Sequence, residues 1–282
     1  MKILITGAKG MLGRTLHHTL HEFELVPTDI ETDITDFAQI DAALAQHRPD
    51  SVIHCAAMTA VDHCESERDL AFRVNATGSE NVARACANHN ARLIAISTDY
   101  VFAGDADKPY SETDKADGGK TVYGQSKFEG ERRILKYAPH AVIARVAWLY
   151  GDGGPSFVHT MLRLADGSRP ELKVVNDQHG NPTSARAVAR HLRFLLQRPE
   201  LSGIFHLTCE GEATWYDFAC EIFRLKGIPQ KVIPCTTDEY PRPAPRPANT
   251  RLEKIQLRLS GLPPMPHWKD ALAEFFNQYS IS

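Results

Sequence analysis

The chain opens on Lys2-Ile3-Leu4-Ile5-Thr6-Gly7-Ala8-Lys9-Gly10-Met11-Leu12-Gly13, a β-branched run that leads into glycines spaced G-x-x-G-x-x-G. From Met11 onward the apolar residues fall near the helical period, so strand, tight turn and helix follow one another. Gly7 permits the turn, Gly10 lets the backbone approach a pyrophosphate, and Gly13 lets the helix lie close to the sheet. The first N–H groups of a helix have no partner within it and face an anion. A dinucleotide is the expected ligand. Asp29 closes the second predicted strand, where a carboxylate accepts hydrogen bonds from an adenosine ribose diol. It would repel a 2′-phosphate, which favours NADH, whereas Lys9 and Arg14 stand within reach of a phosphate. The cofactor is therefore expected to be NADH or NADPH, with NADH the first choice.

Working outward, short β-branched runs at 3–6, 24–28, 51–56, 92–97 and 142–147 alternate with helical patterns at 11–21, 37–46, 67–89 and 122–136. In the longest helix, Leu70, Ala71, Val74, Val82 and Ala85 keep the helical spacing. Alternation of this kind predicts βαβ units and an α/β fold, a doubly wound parallel (Rossmann) sheet covered on both faces. After Gly151 the character changes: Gly153-Gly154-Pro155, Gly167-Ser168-Arg169-Pro170, Asn181-Pro182 and the proline-rich 241–247 interrupt short elements. Helices are expected there at 157–165, 185–197, 215–225 and 268–279, and strands at 172–175, 204–207 and 231–234. Residues 1–150 thus read as the dinucleotide-binding domain and 151–282 as a smaller α+β substrate-binding lobe, from which the chain can cross back. The stretch 241–247 reads as a rigid crossing loop.

With 282 residues, 43% apolar and 24% charged, the composition excludes disorder and coiled coil as descriptions of the whole. A net charge of −3 leaves no basic excess for a phosphate backbone, so no nucleic-acid partner is expected. No apolar run reaches the ~18 residues of a membrane helix, and the chain enters its first strand without a signal-peptide pattern. No membrane partner is expected, and the expected location is cytoplasmic. Cys55, Cys64, Cys86, Cys209, Cys220 and Cys235 form no C-x-x-C pair and read as reduced. His17, His18 and His21 make no three-ligand set, and Asp62, Cys64, Glu65 and Glu67 read as a polar helix start; no metal is predicted.

Tyr123-Gly124-Gln125-Ser126-Lys127 carries the chemistry. Residues four apart share a helix face, so Tyr123 and Lys127 point into one pocket. An ammonium beside a phenol favours its ionised form and makes it a better proton donor to a developing alkoxide. Upstream, 96–102 ends the fourth strand, and ligands of doubly wound sheets sit beyond the carboxyl ends of strands. Thr98 is placed there to bond a substrate oxygen or the Tyr123 hydroxyl. Arg246, with Arg242 and Arg251, offers cations for a nucleotide diphosphate.

The glycine spacing and the Thr98, Tyr123, Lys127 set resemble the extended short-chain dehydrogenase/reductase superfamily. Within it, Ser97-Thr98-Asp99-Tyr100-Val101-Phe102, Tyr123-Gly124-x-x-Lys127 and Arg145-Val146-Ala147-Trp148-Leu149-Tyr150-Gly151 occur in order with several later segments. These are Phe157-x-x-Thr160-Met161-Leu162, Asn176-Asp177-Gln178-x-Gly180-x-Pro182-Thr183 and Arg246-Pro247-x-x-x-x-Arg251-Leu252. Together they resemble the dTDP-4-dehydrorhamnose reductases over nearly the whole chain. The resemblance implies reduction of the C4 carbonyl of dTDP-4-dehydro-β-L-rhamnose to dTDP-β-L-rhamnose by hydride from NAD(P)H. It implies Tyr123 as proton donor, Lys127 on the nicotinamide ribose, and Thr98 tuning Tyr123. Asp99, Tyr100, Trp148 and Arg246 are expected on the sugar nucleotide. Gly10, Met11, Leu12, Asp29, Asp33, Ile34, Ala56, Ala57 and Met58 are expected on the cofactor, beside Gly7 and Gly13.

Related sugar-nucleotide dehydratases carry Thr-Asp-Glu where this chain has Thr98-Asp99-Tyr100. Without that glutamate, proton abstraction at C5 lacks its base, which leaves net reduction. Some reductases of the family bridge a dimer through a metal held by a first-helix glutamate; Thr15 stands near that place, so no such metal is expected, and a homodimer stays open. Two alternatives remain: a non-catalytic regulator like the regulatory subunit of methionine adenosyltransferase, against which the intact Thr98, Tyr123 and Lys127 argue, and a reductase of a related keto-sugar nucleotide.

Overall fold

Strands that are apolar without alternation must be covered on both faces. The computed structural model, which describes residues 1–278, shows how this is done. The first half of the chain runs β1 (Lys2–Thr6), α1 (Met11–Thr19), β2 (Glu24–Thr28), α2 (Phe37–His47), β3 (Ser51–His54), α3 (Val61–Ser66), α4 (Arg68–Phe72), α5 (Ser79–Asn88) and β4 (Arg92–Thr98). It continues through α6 (Val122–Tyr137) and β5 (Val142–Val146). Successive strand residues point to opposite faces. Ile3 and Ile5 therefore join Leu12 and Leu16 in one core. Leu4 joins Ile40 and Leu44 of α2, Val82 of α5 and Ile134 of α6 in the other.

The second half contains β6 (Leu149–Tyr150), α7 (Phe157–Leu164), β7 (Glu171–Val175), β8 (His179–Gly180), β9 (Thr183–Ser184), α8 (Ala185–Leu196) and β10 (Gly203–His206). It ends with β11 (Ala213–Thr214), α9 (Trp215–Lys226), β12 (Lys231–Cys235), α10 (Ile255–Leu259) and α11 (Trp268–Gln278). Strands β7 and β12 form a separate parallel pair. The strand expected at 204–207 in the second lobe is instead the sixth strand of the main sheet, parallel to β5. The sheet order is β10-β5-β4-β3-β1-β2. Val188, Leu192 and Leu195 of α8 share the core of Leu12 and Leu16, so this helix too covers the main sheet. A four-residue strand carries no local sign of its neighbour, which is why the sequence left it with the lobe nearest in chain order. The helix expected at 268–279 runs to Gln278, and Tyr279 lies outside the described residues.

The order reverses at β1, with β2 on one side and β3 on the other, and this opens a crevice beyond their carboxyl ends. The helix expected at 67–89 is present but is interrupted by a π-helical stretch, Arg73–Gly78. Such wide turns often mark functional sites, and here the turn carries the buried Asn75. Asn75 Oδ1 accepts the Met58 N–H at 2.8 Å, and its amide donates to the Met58 carbonyl and to Ser126 Oγ of α6, each at 3.0 Å. One buried side chain thereby ties the segment after β3 to the helix that carries Tyr123.

A second tie sets that helix against the sheet. Arg145 of β5 donates Nε and Nη2 to Glu131 of α6 at 2.9 and 2.6 Å, with both side chains buried. Removing one member of such a pair leaves an uncompensated buried charge, at a cost of about 3–5 kcal/mol. Glu131→Gln is therefore expected to lower the urea midpoint clearly. The double change Glu131→Leu with Arg145→Met should recover most of the loss. Equal destabilisation of single and double variants would show that the pair does not act as a unit.

All six cysteines are free thiols. Among the described residues no helix is long and apolar enough to cross a membrane, and no group of three or more His, Cys, Asp or Glu is placed to hold a metal.

Candidate active site

The glycine-rich turn is shaped for close approach. Gly7 has φ +68°, and a Cβ there would lie 2.7 Å from the Ala56 backbone nitrogen. Gly10 caps α1 without a side-chain hydrogen bond, so the first N–H groups of the helix remain available to an anion. Gly13 packs on Gly7 and Ala8. A bare, N–H-lined cradle against β3 fits the pyrophosphate of a dinucleotide. The Thr15 hydroxyl turns back to the Met11 carbonyl.

Beyond β2, Asp29 accepts the Lys9 N–H at 2.7 Å and the Ile30 N–H at 3.0 Å. The Lys9 ammonium pairs with Glu31 at 3.0 Å, and Arg14 donates to the Lys9 carbonyl at 2.8 Å. Asp29, Lys9, Arg14 and Glu31 line a cavity of about 520 Å³. Asp33 accepts from the Thr35 backbone, and Ile34 is buried with its carbonyl held by Asn81.

A larger cavity of about 910 Å³ brings together Gly7, Gly10, Met11, Leu12, Gly13, Ala57, Thr98, Asp99, Tyr100, Tyr123, Lys127, Trp148 and Arg246. Asp29, Asp33, Ile34, Ala56 and Met58 do not line it. Tyr123 and Lys127 are one turn apart on α6, whose start is fixed by Thr121 accepting the Gly124 N–H at 3.0 Å. Only a glycine fits at 124, because a Cβ would lie 2.2 Å from the Tyr100 carbonyl oxygen. That contact presses α6 onto the 99–101 turn, where the Tyr100 and Tyr123 rings meet edge to face at 5.5 Å.

The Tyr123 side chain stands next to Thr98. Burial pushes the phenol well above its ordinary pKa, and the Thr98 hydroxyl only partly offsets this. The expectation that the Lys127 ammonium draws it down is corrected: burial raises the phenol, and the group that lowers it is Thr98. Lys127 Nζ donates to the Ile96 carbonyl at 2.8 Å. Burial lowers its pKa to about 8, against the opposing pull of Glu131 and Cys55. At neutral pH the walls of the cavity therefore carry both a protonated phenol and an ammonium.

Asp99 is 4% exposed and accepts the Thr98 hydroxyl at 2.8 Å. Burial raises it to about 7, the Thr98 hydrogen bond notwithstanding. Trp148 has φ +47°, uncommon for a residue with a side chain, and stacks on Trp215 at 3.5 Å and 5°. Trp215 is held by its indole N–H to Gln178 at 3.0 Å.

Arg246 lies across the cavity, its Nη2 2.9 Å from Asp62 Oδ1. Arg242 binds the same carboxylate at 2.6 Å, and so does the Ala244 N–H at 3.1 Å. Burial works against the Asp62 charge, but the Arg242, Ala244 and Arg246 contacts outweigh it and hold the carboxyl below its usual range. Reading Asp62 as a favourable helix start was incomplete: it anchors the proline-rich crossing loop. Three residues escaped the sequence reading as parts of the site: Asp62, Asn75 and Trp215. Asn75 alone left a sign, a polar residue beside Val74 in the apolar pattern of a long helix.

Residues 1–281 match the family described as RmlD substrate binding domain. The dTDP-4-dehydrorhamnose reductase of Streptomyces griseus is 44% identical over 282 residues, 97% of this chain and 92% of the relative. A Streptomyces antibioticus protein named probable dTDP-4,6-dihydroxy-2-methyloxan-3-one 4-ketoreductase is 43% identical, over 98% of this chain and 95% of its own. The structure of the Bacillus anthracis dTDP-4-dehydrorhamnose reductase in complex with NADP is similar at a TM-score of 0.95 and 38% identity, over 99% of each chain.

Proposed function

Because the chain belongs to the dTDP-4-dehydrorhamnose reductase family, we propose that it reduces the C4 carbonyl of dTDP-4-dehydro-β-L-rhamnose, with Tyr123 as the proton donor. The observation that carries this reading is the convergence of Thr98, Tyr123 and Lys127 on the cavity that the glycine-rich turn opens into. A bound reduced nicotinamide supplies the hydride. Every other task falls to the chain. Gly7, Gly10 and the start of α1 hold the pyrophosphate, and Lys127 holds the nicotinamide ribose while keeping a positive charge beside the developing oxyanion. Tyr123 keeps its proton up to alkaline pH and gives it to the C4 oxygen, a downhill step because an alkoxide is the stronger base.

Arg246 and Arg242, held on one side of the cavity by Asp62, offer two guanidiniums to the diphosphate. Trp148 and Asp99 meet the sugar. Tyr100 stands where a dehydratase has its carboxylate base, and burial raises its own pKa, so it is unsuited to that role. The carboxylate of Asp29 supports NADH. NADPH is supported by the Bacillus anthracis complex and by Lys9, which can leave Glu31 for a 2′-phosphate. Both reactants are charged, water-soluble nucleotides, which fits a cytoplasmic reaction.

The test is oxidation of NADH and NADPH, measured side by side, with the keto sugar generated in situ by the upstream enzymes. Turnover with at least one cofactor is expected; none with either overturns the reading. The Streptomyces antibioticus relative supports a second reading, reduction of a different dTDP-4-keto sugar. A preference for such a sugar in the same assay would favour it.

A further inference from the structure

Tyr123 must regain a proton after each turnover, and its hydroxyl is not isolated. Thr98 stands next to it and acts on its ionisation, and Thr98 Oγ1 lies 2.8 Å from Asp99 Oδ1, to which it donates while Asp99 is a carboxylate. The chain of three oxygens ends on a carboxylate that is buried, lines the large cavity and has no hydrogen-bond partner for Oδ2 among the described residues. Thr250 stands beside it but donates its hydroxyl to the His179 carbonyl. A buried polar atom without a partner requires a reason. Contact with a sugar hydroxyl accounts for Oδ2, but not for the coupling of Oδ1 through Thr98 to the phenol.

We propose that Asp99 returns the proton that Tyr123 gives up, passing it through the Thr98 hydroxyl. The inference rests on the reading of Tyr123 as proton donor. The Tyr123 O–H bond breaks as the product O–H bond forms. With Asp99 protonated on Oδ1, the carboxyl donates across the 2.8 Å to Thr98 Oγ1 and the Thr98 O–H turns to Tyr123; that Thr98 proton moves to the phenolate, and the Asp99 carboxyl proton replaces it on Thr98. Asp99 is left as a carboxylate and takes a new proton from water once the product has left the cavity. No electrons are exchanged in these steps. The direction is downhill, because the buried phenolate is far more basic than the carboxylate, and burial keeps an appreciable share of Asp99 protonated near neutral pH.

The ionisable groups around Asp99 are Tyr100 on its own turn, Tyr123 and Lys127 on α6, and, across the cavity, Arg242 and Arg246 with Asp62. Lys127 donates to the Ile96 carbonyl at 2.8 Å, and the Asp99 carboxyl is the group hydrogen-bonded to Thr98.

Asp99→Asn, Thr98→Val and Thr98→Ser test the relay in the full-length protein. In the wild type kcat is expected to fall as pH rises through about 7, while Asp99 loses its proton. Asp99→Asn and Thr98→Val should each lose about tenfold in kcat near neutrality and lack that limb. Thr98→Ser, which keeps a hydroxyl, should retain both rate and limb. A readout independent of turnover is the infrared carbonyl band of a protonated carboxyl in the free protein, expected to vanish through about pH 7 in the wild type and to be missing from Asp99→Asn.

Stability gives a third measure. Asp99 binds its proton in the folded state up to about pH 7 but in the unfolded chain only near pH 4. The penalty for its charge is therefore absent below pH 4, grows as pH rises to 7, and is complete above. Asp99→Asn should melt higher than the wild type at pH 8 and lose that advantage by pH 4.

Wild-type kcat in Asp99→Asn with only KM raised would overturn the relay and leave a sugar contact. A carboxyl that titrates near pH 4 would also overturn it, and this wild-type measurement stands even if a variant fails to fold. An inactive Tyr123→Phe beside a fully active Asp99→Asn removes the relay alone. A fully active Tyr123→Phe removes the parent reading as well.

Discussion

Tyr123→Phe is expected to lower kcat by about 10²–10⁴-fold, the usual contribution of a positioned general acid, with little change in KM for either nucleotide. The substitution removes one oxygen and keeps the ring that meets Tyr100 edge to face and fills the wall of the cavity. The phenol makes no contact that holds the fold together: Thr98 next to it is already held by Asp99 Oδ1 and the Tyr100 N–H. Thermal midpoints of wild type and variant should therefore agree within a few degrees. The measurement is single-turnover cofactor oxidation, which isolates the chemical step from product release. A rate within tenfold of wild type would remove Tyr123 from the acid role.

Lys127→Met should lower kcat by about 10²–10³-fold, the scale seen when one preorganised donor is removed from a developing oxyanion, and should weaken cofactor binding. Stability should move the other way. Lys127 is 6% exposed, and burial brings its pKa from 10.5 to about 8. Below pH 8 the folded protein carries the full penalty of a buried ammonium; between 8 and 10.5 the penalty declines, because the folded form releases its proton first. Methionine is of similar length and carries no charge, so the variant should melt higher than the wild type at pH 7, with the gap narrowing toward pH 10. Cofactor titration by fluorescence and a pair of melting curves check both halves. An equally active variant, or an inactive one that melts lower, would contradict this role for the ammonium. An active site that costs the fold stability is the usual pattern where function selects a buried charge.

The parts of this protein that were legible in its sequence are those whose signal is local. Met11 to Leu16 follow the glycines at helical spacing, and the five strands of the first half are short β-branched runs bounded by turns, so each predicts itself. Tyr123 and Lys127 were legible because a separation of four on a helix needs no tertiary information. Thr98 was legible as the end of a strand.

What escaped depends on contacts between distant segments. The edge strand Gly203–His206 pairs with β5 some 60 residues away, and nothing in four residues announces that partner. The π-helical stretch at Arg73–Gly78 carries Asn75, whose partners Met58 and Ser126 lie outside any local pattern. Asp62 reads as an ordinary acidic helix start until Arg242 and Arg246, about 180 residues later, fold back upon it. The raised pKa of Tyr123 belongs to this group too. The sequence shows a lysine four residues on, but not the burial that raises the phenol.

Reduction at C4 with hydride drawn from the cofactor is best tested by following the hydrogen itself. The wild-type protein would be given dTDP-4-dehydro-β-L-rhamnose and nicotinamide deuterated at its own C4, and the sugar nucleotide product read by NMR. One deuterium at sugar C4 of dTDP-β-L-rhamnose is the result expected. Cofactor oxidation that leaves sugar C4 unlabelled, or label at another carbon, would contradict it.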